Sequence, residues 1–206
     1  MPRIRAASID EHKALTRSAV LGAAKRLIED AGTADLPLGD IATVAGIGRT
    51  TLYDYFSDRD DLIATLVEQE LPGVLQGLLD SLPAQDRPAD RLATLAERTV
   101  EFVVNDPVLG VILHREVGRM GPSAEVRIRA AHANLAEAML GLYQAGVAAG
   151  EFRLMPPDLA GRWIQDTIMS AARTVLSSAR PSERVHQVTA HLRLFLLGGL
   201  SATRST

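Results

Sequence analysis

Residues 17–62 read RSAVLGAAKRLIEDAGTADLPLGDIATVAGIGRTTLYDYFSDRDDL. Apolar side chains recur at Val20, Leu21, Ala24, Leu27 and Ile28, the spacing of a helix that buries one face. This places a first helix from about His12 to Ala31, closed by Gly32 as a C-terminal cap. Pro37, in the favoured first position, opens a short second helix to Ala45 that turns Leu38, Ile41, Ala42 and Ala45 inward. Gly46-Ile47-Gly48 breaks it, a third helix is expected from Arg49 to Phe56, and Ser57 with Asp60 three residues later gives a capping-box start to a fourth. A helix, a glycine turn and a short helix opening on Arg-Thr-Thr is the build of a helix-turn-helix, whose later helix enters the DNA major groove. Plain core packing of two short helices fits the same pattern.

Working outward, proline and glycine cut the rest of the chain into longer helical pieces, and no segment sustains the period-two alternation of a strand. The expected helices are Asp58 to Leu82, kinked or broken at Pro72-Gly73, then Pro88 to Asn105, Pro107 to Met120, Pro122 to Gly150, Pro157 to Ser178 and Pro181 to Ala202. The reading is all-α. The change from short to long helices sets a boundary near residue 60, dividing an N-terminal three-helix domain, 1–60, from a C-terminal helical domain, 61–206.

Composition limits the function classes. The 206 residues are 47% hydrophobic and 23% charged, a globular profile. The apolar run Leu194 to Leu200 falls far short of the roughly 18 residues that span a membrane. The N-terminus MPRIRAASIDEHK has no apolar h-region, so a cytoplasmic protein is expected. Without cysteine there is no disulfide or thiolate chemistry. A net charge of −3 argues against a broad nucleic-acid coat, so any DNA binding must be local and shaped.

Arg17, Val20-Leu21, Ala24, Leu27-Ile28, Gly32, Asp40-Ile41-Ala42, Ala45-Gly46-Ile47, Thr51-Leu52-Tyr53, Tyr55-Phe56, Arg59 and Leu62 closely resemble the N-terminal signature of the tetracycline-repressor (TetR) family of transcriptional regulators. The resemblance implies a helix-turn-helix domain followed by a variable helical domain that binds an inducer and dimerises. It implies a ligand-responsive regulator, most simply a repressor, that holds a palindromic operator as a dimer and is released by a small molecule. It implies no enzymatic activity and no cofactor or metal.

The expected DNA-facing set is Thr43, Gly48, Arg49, Thr50, Thr51, Tyr53, Tyr55 and Arg59. Arg49 opens the recognition helix, the part that meets base edges, and a guanidinium pairs bidentately with guanine O6 and N7. Thr50 and Thr51 are short enough for close approach, and Tyr53 and Tyr55 offer phenol hydroxyls to phosphates. Arg59 matches the family's phosphate-clamping lysine. Arg3 and Arg5 offer an arm into the minor groove, with a disordered terminus as the alternative.

Three departures from the family pattern weaken the grip on phosphate. Leu36-Pro37 stands where the family has a capping hydroxyl. Gly39 stands where a basic residue is common, and Asp54 puts a carboxylate in the middle of the expected third helix. Residues 1–62 carry no excess of positive charge, because Asp58, Asp60 and Asp61 gather at the start of the fourth helix, where they also complement its dipole.

In the C-terminal part, Ile164, Ile168, Ala171, Ala172 and Val175 share one face, as do Val185, Val188, Leu192, Phe195 and Leu196. The resemblance implies a homodimer through these last two long helices, with Ala171-Ala172 and Gly198-Gly199 permitting close approach. Phe102, Leu109, His114, Met139, Tyr143 and Trp163 are candidates to line an apolar ligand cavity, with Arg119, Gln165 or Arg173 as polar tethers. Two rival readings are a helical enzyme and a protein-interaction module without DNA binding. The enzyme finds little support: His114 and Glu116 lie about 200° apart on a helix, His186 and His191 about 140°, and neither pair makes a metal-binding face.

Overall fold

The computed structural model describes residues 6–202, so the arm candidates Arg3 and Arg5 lie outside the described residues. Ten helical segments follow one another: α1 (Ala6–Ala31), α2 (Leu38–Ala45), α3 (Arg49–Tyr53), α4 (Arg59–Asp80), α5 (Pro88–Asn105), α6 (Leu109–Val111), α7 (Pro122–Ala131), α8 (Ala133–Ala148), α9 (Pro157–Leu176) and α10 (Pro181–Leu200). The short α6 runs on into a π-helical turn, Ile112–Glu116, and a 3₁₀ turn, Val117–Arg119. No strand forms among the described residues; Phe152 and Ser201 make an isolated bridge. The fold is all-α, as the sequence reading holds.

Two compact units divide the chain. The first combines residues 6–69 with Pro107–Ile128. Its core holds Val20, Leu21, Ala24, Ile28, Ile41, Leu52, Phe56, Leu62, Ile63 and Leu66; of the apolar stripe read from the sequence of α1, only Leu27 is left half-buried. Gly32 takes a positive φ of 64° and donates to the Ile28 carbonyl, closing α1 at the expected residue.

The second unit combines 70–106 with 129–202. Here α5 is the central helix, with α8, α9 and α10 packed on it. Its inward face is Leu92, Leu95, Ala96, Val100 and Val103, against Met139, Ile164, Ile168, Val185, Leu192 and Leu196. Glu151 caps α5 by accepting the Ala89 N–H at 2.8 Å, and Arg193 of α10 reaches Glu97 at 2.9 Å and Asp90 at 3.2 Å on α5.

Several boundaries differ from expectation. The helix through Pro72 does not break: α4 continues to Asp80, because Leu71 and Leu75 are buried on either side and proline removes a single N–H. The expected helix from Pro107 becomes three short irregular turns, and that from Pro122 divides near His132 into α7 and α8. Pro37 occupies the position before α2 instead of its first turn. The capping box is shifted by one residue: Asp58 accepts the Asp61 N–H at 2.8 Å, while Asp61 accepts the Ser57 N–H at 3.0 Å. Asp60 is thereby freed to accept the Gly121 N–H at 2.8 Å.

Gly146 of α8 lies flush against the Phe152 ring; a Cβ there would sit 2.3 Å from a ring carbon. Gly146→Ala is therefore expected to destabilise the fold by about 1–3 kcal/mol through overpacking, measured as the shift in urea unfolding.

Candidate nucleic-acid interface

The turn between α2 and α3 is closed by backbone. Gly46 takes φ 73°, a conformation costly for residues with a Cβ, and its N–H donates to Ala42 and Thr43 while the Ile47 N–H returns to Ala42 at 3.0 Å. Gly48 is the residue before α3, extended at φ −69°, ψ 146°. A helix of five residues is too short to stand alone in water, and Leu52 and Phe56, both buried, hold it to the first unit.

That anchoring leaves one side of the motif in solvent. Thr43, Gly48, Arg49, Thr50, Thr51 and Tyr53 are all exposed, and the structure brings these six expected residues together on α3, its preceding turn and the end of α2. Tyr53, one helical turn on, holds the pKa of the fully exposed Arg49 above its ordinary value through hydrogen bonding to the guanidinium. The Thr43 hydroxyl donates to the Gly39 carbonyl at 2.9 Å, which steadies that exposed side chain. Tyr55 is only half-buried and lies in the turn after α3, since the helix stops at Tyr53 instead of Phe56. Asp54 is consequently the C-terminal capping residue of α3, not a mid-helix residue.

Arg59 is placed differently from a free phosphate clamp. Its Nη1 lies 2.5 Å from Asp35, its Nε 3.6 Å from Asp60 and its Nη2 3.6 Å from the buried Glu116. All three nitrogens face carboxylates, so a phosphate has to displace some of them.

Behind the motif lies a charge network that sequence reasoning missed. Arg127 of α7 holds Glu68 with two bonds of 2.9 and 2.6 Å, Asp61 at 2.7 Å and the buried Thr65 hydroxyl at 2.8 Å. Arg115 donates to the Gly32 carbonyl at 3.0 Å, at the C-terminal end of α1. Arg17 lies over the Phe56 ring, 5.3 Å from its centre. The partners of Arg127 are 59 to 66 residues away, and no local spacing signals them.

The candidate cavity residues fall in both units. Trp163 is 53% exposed on α9. The Tyr143 hydroxyl donates to the Arg153 carbonyl at 2.9 Å and accepts the Met155 N–H at 2.8 Å, while its ring stacks on Phe152, so it pins the loop after α8. Phe102 and Met139 belong to the second unit, Leu109 and His114 to the first. A groove of about 610 Å³ lies along α9 and α10 between Asp166, Ser170, Arg184, His191 and Phe195, and none of the six lines it. Phe195, on the apolar face read for α10, is 68% exposed and lines it.

Residues 20–66 match the bacterial regulatory proteins of the tetR family, and residues 85–173 match the tetracyclin repressor-like C-terminal domain. An HTH-type transcriptional regulator of Mycobacterium tuberculosis is 30% identical over 95 residues, which span 46% of this chain and 47% of that protein. The HTH-type transcriptional repressor LfrR of Mycolicibacterium smegmatis is 47% identical over 51 residues, 25% of this chain and 26% of its own. The crystal structure of the transcriptional regulator FadR from Bacillus subtilis in complex with stearoyl-CoA shares the fold, with a TM-score of 0.73 at 17% identity over 89% of this chain and 98% of that one.

The Arg127 network makes stability depend on pH. Burial opposes the charge of Asp61, but the Ser57 N–H and the Arg127 guanidinium outweigh it and hold its pKa below the ordinary value; hydrogen bonding from Arg127 does the same to Glu68. Both groups titrate lower in the folded state, so their contribution is complete above about pH 5, beyond the ordinary carboxylate values, and drains as pH falls through the depressed folded values. Arg127→Gln should be less stable than wild type at neutral pH, with the gap narrowing on acidification. Urea midpoints taken across this range check it; a gap independent of pH would mean that the guanidinium acts by packing alone.

Proposed function

Because the chain belongs to the tetracycline-repressor family of bacterial regulators, we propose that it is a ligand-responsive transcriptional repressor that binds a palindromic operator as a homodimer. The observation that carries the reading is the outward side of α3: Arg49, Thr50, Thr51 and Tyr53 are exposed on a helix that Leu52 and Phe56 anchor from behind. In the proposed complex Arg49 reads a base edge, Thr50 and Thr51 allow close approach, and Thr43, Gly48, Tyr53, Tyr55 and Arg59 contact phosphates. Repression, rather than activation, is supported by the 47% identity over 51 residues to the repressor LfrR.

Dimerisation follows from the geometry of DNA, since two recognition helices must reach successive major grooves about 34 Å apart. The surface proposed for it is on α9 and α10, where Leu159, Trp163, Leu194 and Phe195 are exposed and Gly198 and Gly199 add no bulk. Exposed apolar side chains gathered on adjacent helices are a cost that a partner removes. The second unit is proposed to receive a small, mostly apolar inducer, with Phe102 and Met139 among its apolar residues; of the stearoyl-CoA in the FadR structure, the acyl chain alone supports the apolar part of that reading. A cytoplasmic location is part of the same reading, and no helix among the described residues is long and apolar enough to cross a membrane. The helical-enzyme reading is set aside because the relatives are DNA-binding regulators.

An electrophoretic shift on the DNA upstream of the protein's own gene, titrated with salt, tests the proposal. Arg49→Ala should lower affinity for the shifted sequence by about 1–3 kcal/mol and relax the choice at one base pair per half-site. Wild-type discrimination across a panel of mutated duplexes would displace Arg49 from that role. Replacing Leu194 and Phe195 together by Asp should convert a dimer to monomer in sedimentation with the helical circular dichroism intact; an unchanged sedimentation coefficient would move the interface elsewhere.

A further inference from the structure

Arg59 stands where two demands for one cation meet. The three carboxylates around it are not equivalent. Asp35 is 78% exposed and its pair with Arg59 exchanges with water at little cost. Asp60 keeps the Gly121 N–H as a donor whatever Arg59 does. The side chain of Glu116, by contrast, is 3% exposed and ends the π-helical turn Ile112–Glu116, where losing the guanidinium at 3.6 Å leaves a buried charge short of its counter-ion. A phosphate binds a guanidinium best through a parallel pair of N–H groups, and the terminal nitrogens Nη1 and Nη2 are those now facing Asp35 and Glu116.

We infer that Arg59 is an exchange residue: a DNA phosphate takes its guanidinium away from Glu116, so that DNA binding and the packing of the π-helical turn are coupled through one cation. The inference rests on the DNA-binding reading and deepens it. Coupling of this kind is reciprocal. Whatever repacks 112–119 so that Glu116 no longer needs Arg59 strengthens the hold on DNA, and whatever tightens that pair weakens it. The π-helical turn stands between a three-residue α-helix and a 3₁₀ turn, and π-helical segments are frequent at functional sites.

The test is a double-mutant cycle with Glu116→Gln and Arg59→Gln on a duplex selected by the wild-type chain from a random pool. Glu116→Gln keeps shape and hydrogen-bonding capacity but removes the competing charge, and should bind the duplex roughly tenfold more tightly, within the ordinary range of coupling between sites. Arg59→Gln should weaken binding and lower the slope of log affinity against log salt by about 0.9, the loss of one phosphate contact. In the Arg59→Gln background the gain from Glu116→Gln should vanish; a gain that persists there, or no gain at all, overturns the exchange. Hydrogen exchange on the wild-type chain gives a readout that needs no variant. Saturating duplex should speed exchange of the amides at 112–119, and unchanged or slower exchange overturns the proposal even if Glu116→Gln fails to fold. A wild-type chain that selects no duplex overturns the DNA-binding reading itself, and this inference with it.

Discussion

A five-residue helix cannot hold its own shape in water, because nucleating a helix fixes several dihedral angles for each hydrogen bond gained. The reading head therefore depends on what stands behind α3. Leu52 and Phe56 are buried with α1 and α2 residues in one core, and Arg17 covers the Phe56 ring from the rim. That anchoring frees Arg49, Thr50, Thr51 and Tyr53 to point outward together. The αL turn at Gly46 fixes the angle at which α3 leaves α2, so the geometry of the whole motif follows from one glycine and two buried side chains.

Charge in the first unit has two uses. The carboxylates at the start of α4 appeared, from sequence, as an excess that would repel DNA. In three dimensions most of that charge is engaged: Asp58 and Asp61 cap α4, Asp60 takes the Gly121 N–H, and Asp61 and Glu68 share Arg127. The acidic helix start is thus part of the join between α4 and residues 107–128, and the small net charge of the head reflects structural use of carboxylates. No hydroxyl caps α2, where Pro37 stands before the first turn, and Gly39 brings no cation to that helix.

Dual use of Arg59 links these observations. An arginine spent on an exposed carboxylate is cheaply recovered, whereas one spent on a buried carboxylate is not. The same side chain touches the turn before α2 through Asp35 and the π-helical turn through Glu116, which gives a local alteration at 112–116 a direct electrostatic route to the reading head within one compact unit.

The sequence by itself determined the class and the motif. Helical periodicity, Gly32 and Gly46 as caps, and the spacing from Val20 to Leu62 are local properties, written within a few residues of where they act, so α1, α2, the turn and the exposed side of α3 were all legible. Tertiary structure alone decided the rest. Pro72 failed to break α4 because Leu71 and Leu75 are buried, and the stretch after Pro107 became a π and a 3₁₀ turn for reasons that no single-helix pattern carries. Trp163 and Phe195 look like core residues by hydrophobicity yet lie exposed, since periodicity finds an apolar face without saying what covers it. Arg59 found Asp35, 24 residues away, and Arg127 found Asp61, 66 residues away. Pairings across such separations depend on which helix faces the chain brings together, and that is settled by packing, not by any spacing along the sequence.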